Sequence, residues 1–141
     1  MSSPFGFDDT TRRDPESFRG RALSASLTVK DHERSLSWYR DVVGFTVDQV
    51  FERDGTRIAV SLKAGAVRIL LTRDDGAKGL DRAKGEGFSL MITTAQDVDA
   101  LAQRIKERGG VLASEPADMH GARAFRLVDL DGFRLTISSE R

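Results

Sequence analysis

The chain contains no cysteine and only two histidines among its 141 residues. Without cysteine there is no disulfide framework, no thiolate zinc site and no cysteine nucleophile. Lysine plus arginine and aspartate plus glutamate both number 22, so the net charge of zero gives no indication of a nucleic-acid partner. No apolar run reaches membrane-spanning length, and the first residues lack the apolar stretch of a signal peptide. We therefore expect a cytoplasmic protein that binds neither nucleic acid nor membrane.

The composition is that of a globular protein, with 39% hydrophobic and 31% charged residues. A chain of 141 residues is long enough for one domain with a real core and too short for two ordinary ones. Residues 1–20 are polar and show no periodicity, so we predict a flexible N-terminal extension there. Residues 21–141 are predicted to form a single domain.

The first half of that domain has the pattern of a strand, a helix and three further strands. Apolar residues alternate from Leu23 to Val29, which predicts a half-buried strand. Asp31 is placed to cap an amphipathic helix that ends at Gly44. Three strands follow, at Phe45–Phe51, Arg57–Leu62 and Val67–Thr72, with turns at Asp54-Gly55 and Ala64-Gly65.

The second half repeats this order after a charged, glycine-rich linker at residues 73–87. A strand from Phe88 to Thr93 precedes a helix whose apolar stripe begins at Val98 and which stops at Gly109-Gly110. We then predict a strand near Val111, a loop at Ser114–Gly121, a strand at Ala122–Val128, a turn at Asp131-Gly132 and a last strand containing Leu135 and Ile137. The chain is thus predicted to be two βαβββ modules, residues 22–73 and 87–138.

Three segments resemble one known family: VKDHERSLSWYRDVVGF, QDVDALAQRIKERGG and FRLVDLDGFRL. They are similar to the first helix, the second helix and the closing hairpin of the vicinal oxygen chelate superfamily, which includes glyoxalase I, bleomycin-resistance proteins, fosfomycin-resistance enzymes and extradiol dioxygenases. The hairpin reads Asp129-Leu130-Asp131-Gly132-Phe133 where the family has Asp-Pro-Asp-Gly-Asn. The resemblance implies an α+β fold: a curled, mostly antiparallel eight-stranded sheet with both helices outside.

The resemblance also locates the positions that hold a divalent metal in the metal-dependent members. They correspond here to Ser24, Leu70, Ser89 and Thr136. None is a histidine, glutamate or glutamine, and a leucine cannot act as a metal ligand. We therefore expect no metal and no other cofactor, as in the bleomycin-resistance-like members.

A ligand-binding surface is expected on the polar side of the alternating strands. It would present serine and threonine hydroxyls together with Arg68 and Arg134, which occupy matching places in the two modules. Aspartate and glutamate are missing from the positions assigned to this surface, so these arginines are predicted to receive an anionic group. His120 is expected in a loop over the cavity mouth. The predicted ligand-binding residues are Ser24, Ser26, Arg68, Leu70, Ser89, Met91, His120, Arg134 and Thr136.

Other conspicuous residues have structural interpretations. Trp38 and Tyr39 are predicted to pack in the core, Asp129 and Asp131 to hydrogen-bond within their turn, and His32 to be solvated at the start of the first helix. No arrangement of nucleophile, base and orienting group is recognisable, so no catalytic residue is assigned.

Three functions remain open from the sequence. The first is a metal-free protein that binds a small aromatic or anionic molecule in a cavity near a homodimer interface. The second is an enzyme, such as a lyase, isomerase or dioxygenase-like protein, in which His120, Glu52 or Glu86 would transfer protons. The third is a partner-binding role in which the cavity is unused.

Overall fold

The computed structural model describes residues 18–140, so residues 1–17 of the predicted N-terminal extension lie outside the described residues. The α+β class and the two βαβββ modules are confirmed. The first module comprises β1 (Ala25–Val29), α1 (His32–Ser37) continued by a π-helical segment (Trp38–Val43), β2 (Thr46–Arg53), β3 (Thr56–Ala64) and β4 (Val67–Arg73). The second comprises β5 (Ser89–Thr94), α2 (Val98–Glu107), β6 (Ser114–Met119), β7 (Ala122–Val128) and β8 (Arg134–Ser139).

Each module forms its own four-stranded sheet, in the orders β1-β4-β3-β2 and β5-β8-β7-β6. The pairs β1–β4 and β5–β8 are parallel and the others are antiparallel. The eight strands therefore lie in two mixed sheets and not in the one continuous sheet that the resemblance implied. Strands β1 and β5 are edge strands, and no described ladder of hydrogen bonds joins the sheets.

The first helix begins and ends where the sequence predicts. The carboxylate of Asp31 accepts a hydrogen bond from the backbone N–H of Arg34 at 3.1 Å, which caps the first turn. From Trp38 onward the helix widens, and the N–H of Gly44 bonds five residues back to the carbonyl of Tyr39. Gly44 ends the segment with φ 110°, a left-handed conformation that favours glycine.

The region that follows α2 differs from the prediction. The predicted strand near Val111 is irregular, whereas the predicted loop contains strand β6, which joins β7 through a two-residue turn at His120-Gly121. Pro116 lies within β6. A proline cannot donate a backbone hydrogen bond to a neighbouring strand, so its presence in a sequence segment argues against a strand there. The strand forms nevertheless because β6 is the outermost of its sheet, where a missing N–H breaks no ladder.

One hydrophobic core includes side chains from both modules. The alternating residues of each sheet fill it because one face of every central strand points inward. Both helices cover the core with apolar side chains, among them Leu36 from the first and Ile105 from the second. The buried strand residues are Leu27, Val29, Ala59, Val60, Leu62, Ile69 and Leu71 in the first sheet and Ala124, Phe125, Leu127, Leu135 and Ile137 in the second.

A buried tyrosine and aspartate connect the modules. Tyr39 is fully buried, and its hydroxyl donates a hydrogen bond of 2.6 Å to Oδ2 of Asp129 in the β7–β8 turn. The other oxygen of Asp129 accepts from the backbone N–H groups of Asp131 and Phe133, as the sequence predicts for this turn. Burial raises the pKa of Asp129, and these hydrogen bonds to the carboxylate oppose the rise.

A second connection runs from the same turn to the linker. The ammonium group of Lys84 lies 2.8 Å from Oδ2 of Asp74 and 3.4 Å from Oδ2 of Asp131, and all three side chains are almost completely inaccessible. The hydrogen bond from Lys84, together with one from the N–H of Gly76, lowers the pKa of Asp74 to about 2. At neighbouring Gly85, with φ +79°, an added Cβ would lie 2.7 Å from the carbonyl oxygen of Gly132. The linker therefore packs closely on the turn.

We predict that Tyr39→Phe lowers the free energy of unfolding by about 1.5–3 kcal/mol, the usual contribution of a hydrogen bond to a charged group. The substitution removes only the hydroxyl that bonds Asp129. Urea unfolding measures the change, and Thr28→Val is the matched control because it removes a half-buried hydroxyl whose neighbour is the uncharged Thr72. If Tyr39→Phe cost no more than the control, the buried bond would not hold the modules together.

Candidate functional site

The candidate site lies on the faces of the two sheets that point away from the core, which we call the open faces. Strand alternation places serines and threonines there, as the sequence predicts, since their strand neighbours are buried. A cavity of about 630 Å³ lies on the open face of the second sheet. A cavity of about 310 Å³ lies where the first sheet approaches β5.

The predicted residues divide between these cavities. Ser89, Met91, Arg134 and Thr136 line the larger one, whereas Ser24, Arg68 and again Met91 line the smaller one. Met91 is 76% exposed and borders both. Ser26 and Leu70 are partners in the β1–β4 ladder and border neither cavity.

His120 occupies a different place from the one expected. It is the first residue of the tight turn between β6 and β7, with φ 51°, and it is exposed. The turn does not bring its imidazole to the lining of either cavity. His120 therefore stands at the tip of a hairpin and not over the cavity mouth.

Arg68 has a carboxylate partner, contrary to the prediction. Its guanidinium forms a close ion pair with Asp48 on β2, and Lys63 Nζ lies 3.8 Å from the other oxygen of Asp48. A register shift between Val47 and Gln49 marks a bulge at Asp48, and a bulge changes the direction of a side chain. The prediction was wrong because it considered four strands and left out β2.

Arg134 differs from Arg68. It is exposed on the open face of the second sheet and makes no hydrogen bond or ion pair with any described residue. Arg126, on the neighbouring strand β7, lines the same cavity and likewise has no side-chain partner among the described residues. The alternation Ala124, Arg126, Val128 was visible in the sequence, but β7 was not assigned to the binding surface.

Apolar side chains complete the larger cavity. Phe88 is 45% exposed and Val128 is 44% exposed, beside the more exposed Met91. Exposed apolar surface of this kind is typical of binding sites. Histidine, aspartate and glutamate are missing from the lining residues that the structure describes.

The residues at the family's metal positions do not fit a divalent ion. Leu70 pairs with Ser26 and Ser61, and Thr136 pairs with Met91 and Arg126, so the adjacent strands add no imidazole or carboxylate. Within residues 18–140 no group of three histidine, aspartate or glutamate side chains is placed to hold a metal. A neutral hydroxyl and a leucine cannot replace such ligands.

We predict that Ni²⁺, Zn²⁺, Fe²⁺ and Mn²⁺ leave the melting temperature unchanged. An ion that bound only the folded protein would raise it. Differential scanning fluorimetry on protein purified without chelators, with Mg²⁺ as the comparison ion, measures this. A reproducible rise with one of the four ions would contradict the prediction.

His32 is buried, which corrects the expectation that it is solvated. Only 6% of the residue is exposed. Its Nε2 donates a hydrogen bond of 2.9 Å to the carbonyl of Leu71 on β4, and its Nδ1 accepts one of 3.4 Å from Arg57 on β3. His32 therefore attaches the start of α1 to the first sheet, on the side away from the open face.

The match of this sequence to a known protein family agrees with the fold described above. Residues 21–137 match the Glyoxalase/Bleomycin resistance protein/Dioxygenase superfamily. This chain belongs to that superfamily. Among the residues described, no helix is both long enough and apolar enough to span a membrane.

Individual relatives are distant. A curated relative, "Probable lactoylglutathione lyase" from Synechocystis, is 24% identical over 122 residues, which cover 82% of this chain and 92% of the relative. A superfamily member from Sphaerobacter thermophilus has a TM-score of 0.70 at 23% identity and covers 86% of this chain and 98% of its own. TnmS3, an antibiotic binding protein from Streptomyces, has a TM-score of 0.66 at 21% identity and covers 88% of this chain and 100% of its own. At these identities the similarity of the structures shows the fold alone.

Proposed function

We propose that this protein is a metal-free binding protein of the bleomycin-resistance type that takes up a small aromatic or anionic molecule in the larger cavity. The observation that carries the proposal is the combination, in one cavity of about 630 Å³, of exposed apolar side chains with two arginines that have no side-chain partner among residues 18–140. This volume is in the range of small-molecule sites. The description of TnmS3 as an antibiotic binding protein is consistent with this use of the fold.

Binding is favoured over catalysis by the chemistry of the lining. General acid–base catalysis needs a titratable group within hydrogen-bond reach of the reacting atom. The described lining of the larger cavity offers hydroxyls, arginines and apolar groups only. Of the three candidates for proton transfer, His120 lies at a hairpin tip, and Glu52 and Glu86 are exposed outside this lining. One argument for the lyase alternative remains: the Synechocystis relative is named a probable lactoylglutathione lyase.

We predict that the protein binds aromatic probes and that Met91→Ala weakens the binding by about 1–2 kcal/mol, because it removes apolar surface from the cavity. Isothermal titration calorimetry against 2-naphthoate, 2-naphthamide and 1-naphthyl phosphate measures this. Val111→Ala is the matched control, since Val111 is 82% exposed and lies outside the cavity. Absence of binding for all three probes, or equal losses in the two variants, would contradict the proposed site.

We also predict a homodimer. The open face of the second sheet exposes Phe88, Met91 and Val128, and the outer strand β2 exposes Val47, Val50 and Phe51. Apolar patches of this kind mark contact surfaces, and two-fold dimers are the commonest assemblies. Sedimentation velocity at micromolar concentration should show twice the chain mass of 15.5 kDa. A species of the single-chain mass would contradict this prediction.

A further inference from the structure

The two open faces carry similar cations in different surroundings. In the first sheet Lys63 and Arg68 are direct neighbours across β3 and β4. In the second sheet Arg126 lies opposite Thr136 and Arg134 lies opposite Val128, so the two arginines are diagonal neighbours across β7 and β8. Diagonal neighbours are about 7–8 Å apart at their Cα atoms, within reach of long side chains.

Among the residues that the structure describes, only the first pair of cations has a carboxylate beside it. Asp48 bonds Arg68 and lies within 3.8 Å of Lys63. The acidic residues of β6 are used elsewhere, since Glu115 bonds Lys106 of α2 and Asp118 bonds Arg123. The residue of β6 directly opposite Arg126 is Ser114, which lines the larger cavity. Among the described residues, no carboxylate reaches Arg126 or Arg134.

Like charges on adjacent strands repel, most strongly when they are directly opposite, and an anion bound between them relieves the repulsion. Guanidinium groups match the paired oxygens of a carboxylate or phosphate and bind them through two hydrogen bonds each. We propose that Arg126 and Arg134 together hold one anionic group, and that the ligand is an apolar or aromatic molecule carrying a carboxylate or a phosphate. This inference rests on the proposed function and makes the anion obligatory for tight binding.

The position of the pair defines how such a ligand lies. Phe88, Met91 and Val128 line the same cavity and provide contacts for the apolar body. The anion-binding pair belongs to the second module alone, because Asp48 already occupies Arg68 in the first. The proposed anion site therefore lies in the second module and has no counterpart on the open face of the first.

The ligand test uses three probes with one apolar body. Calorimetry at low salt should show that 2-naphthoate and 1-naphthyl phosphate bind at least about tenfold more tightly than the neutral 2-naphthamide. Arg126→Gln and Arg134→Gln should each remove about tenfold of the affinity for the anionic probes and leave that for the amide unchanged. Arg53→Gln is the control, an exposed arginine on β2 of the other sheet.

A second variant adds the missing carboxylate without removing an arginine. Ser114→Asp places an acidic group directly opposite Arg126, on the outer strand β6 of its sheet, and Asp48 likewise lies on the outer strand β2 of the first sheet. It should abolish the preference for anionic probes, whereas the uncharged Ser114→Asn should keep it. In the absence of ligand, Ser114→Asp should melt about 1–5 °C higher than Ser114→Asn at low salt, and the difference should vanish near 1 M salt.

The outcomes separate the inference from the function on which it rests. If amide and anionic probes bound equally well, the protein would remain a binding protein and the anion site would be wrong. If Arg68→Gln reduced anion binding as much as Arg134→Gln, the site would involve both modules, and the inference would be overturned. If no probe bound, the proposed function would fail. In that case the difference in melting temperature between Ser114→Asp and Ser114→Asn without ligand still tests whether the two arginines lack a carboxylate. If the two variants melted at the same temperature, the inference would be overturned directly.

Discussion

The buried carboxylate of Asp129 is the group on which the arrangement of the modules depends. It belongs to the closing turn of the second module and accepts a hydrogen bond of 2.6 Å from Tyr39 of the first. A buried carboxylate is costly unless its oxygens are satisfied. Here Tyr39 and two backbone N–H groups satisfy them, so the first module provides one of the partners that this buried carboxylate needs.

The same turn connects to the linker through charge. Asp131 accepts a hydrogen bond of 2.8 Å from the backbone N–H of Lys30 and lies 3.4 Å from the buried ammonium group of Lys84. Lys84 in turn bonds Asp74, so strand β1, the linker and the closing turn meet at one place. These contacts lie at one end of the sheets, and none of the residues that make them lines either cavity.

Duplication of a module produces two surfaces that carry similar cations in different surroundings. The first open face places the carboxylate of Asp48 beside its two cations, Arg68 and Lys63. The second leaves Arg126 and Arg134 without a carboxylate among the described residues, next to exposed Phe88 and Met91. Two neighbouring cations without a carboxylate repel each other, and natural proteins accept such local conflicts at functional sites. The asymmetry is therefore the feature that supports binding of an anion.

Local patterns in the sequence were sufficient for most elements of the two modules. Alternation predicted β1, β4, β5 and β8, while Asp31 and Gly44 predicted the limits of the first helix. Residue types alone also identified the chemistry missing from the metal positions, because a leucine or a serine is a poor ligand in any fold. These features depend on neighbours within a few residues, so periodicity and capping reveal them.

Only the tertiary structure decided which groups meet. Asp48 reaches Arg68 through a bulge in β2, and Arg126 faces Ser114 because β6 pairs with β7 in one register. His32 is buried because β4 lies beneath the start of α1 and offers the carbonyl of Leu71. Strand β6 forms despite Pro116 because it is at the edge of its sheet. Such contacts join residues that are far apart in the chain. They are determined by strand order and register, which no local pattern in the sequence encodes.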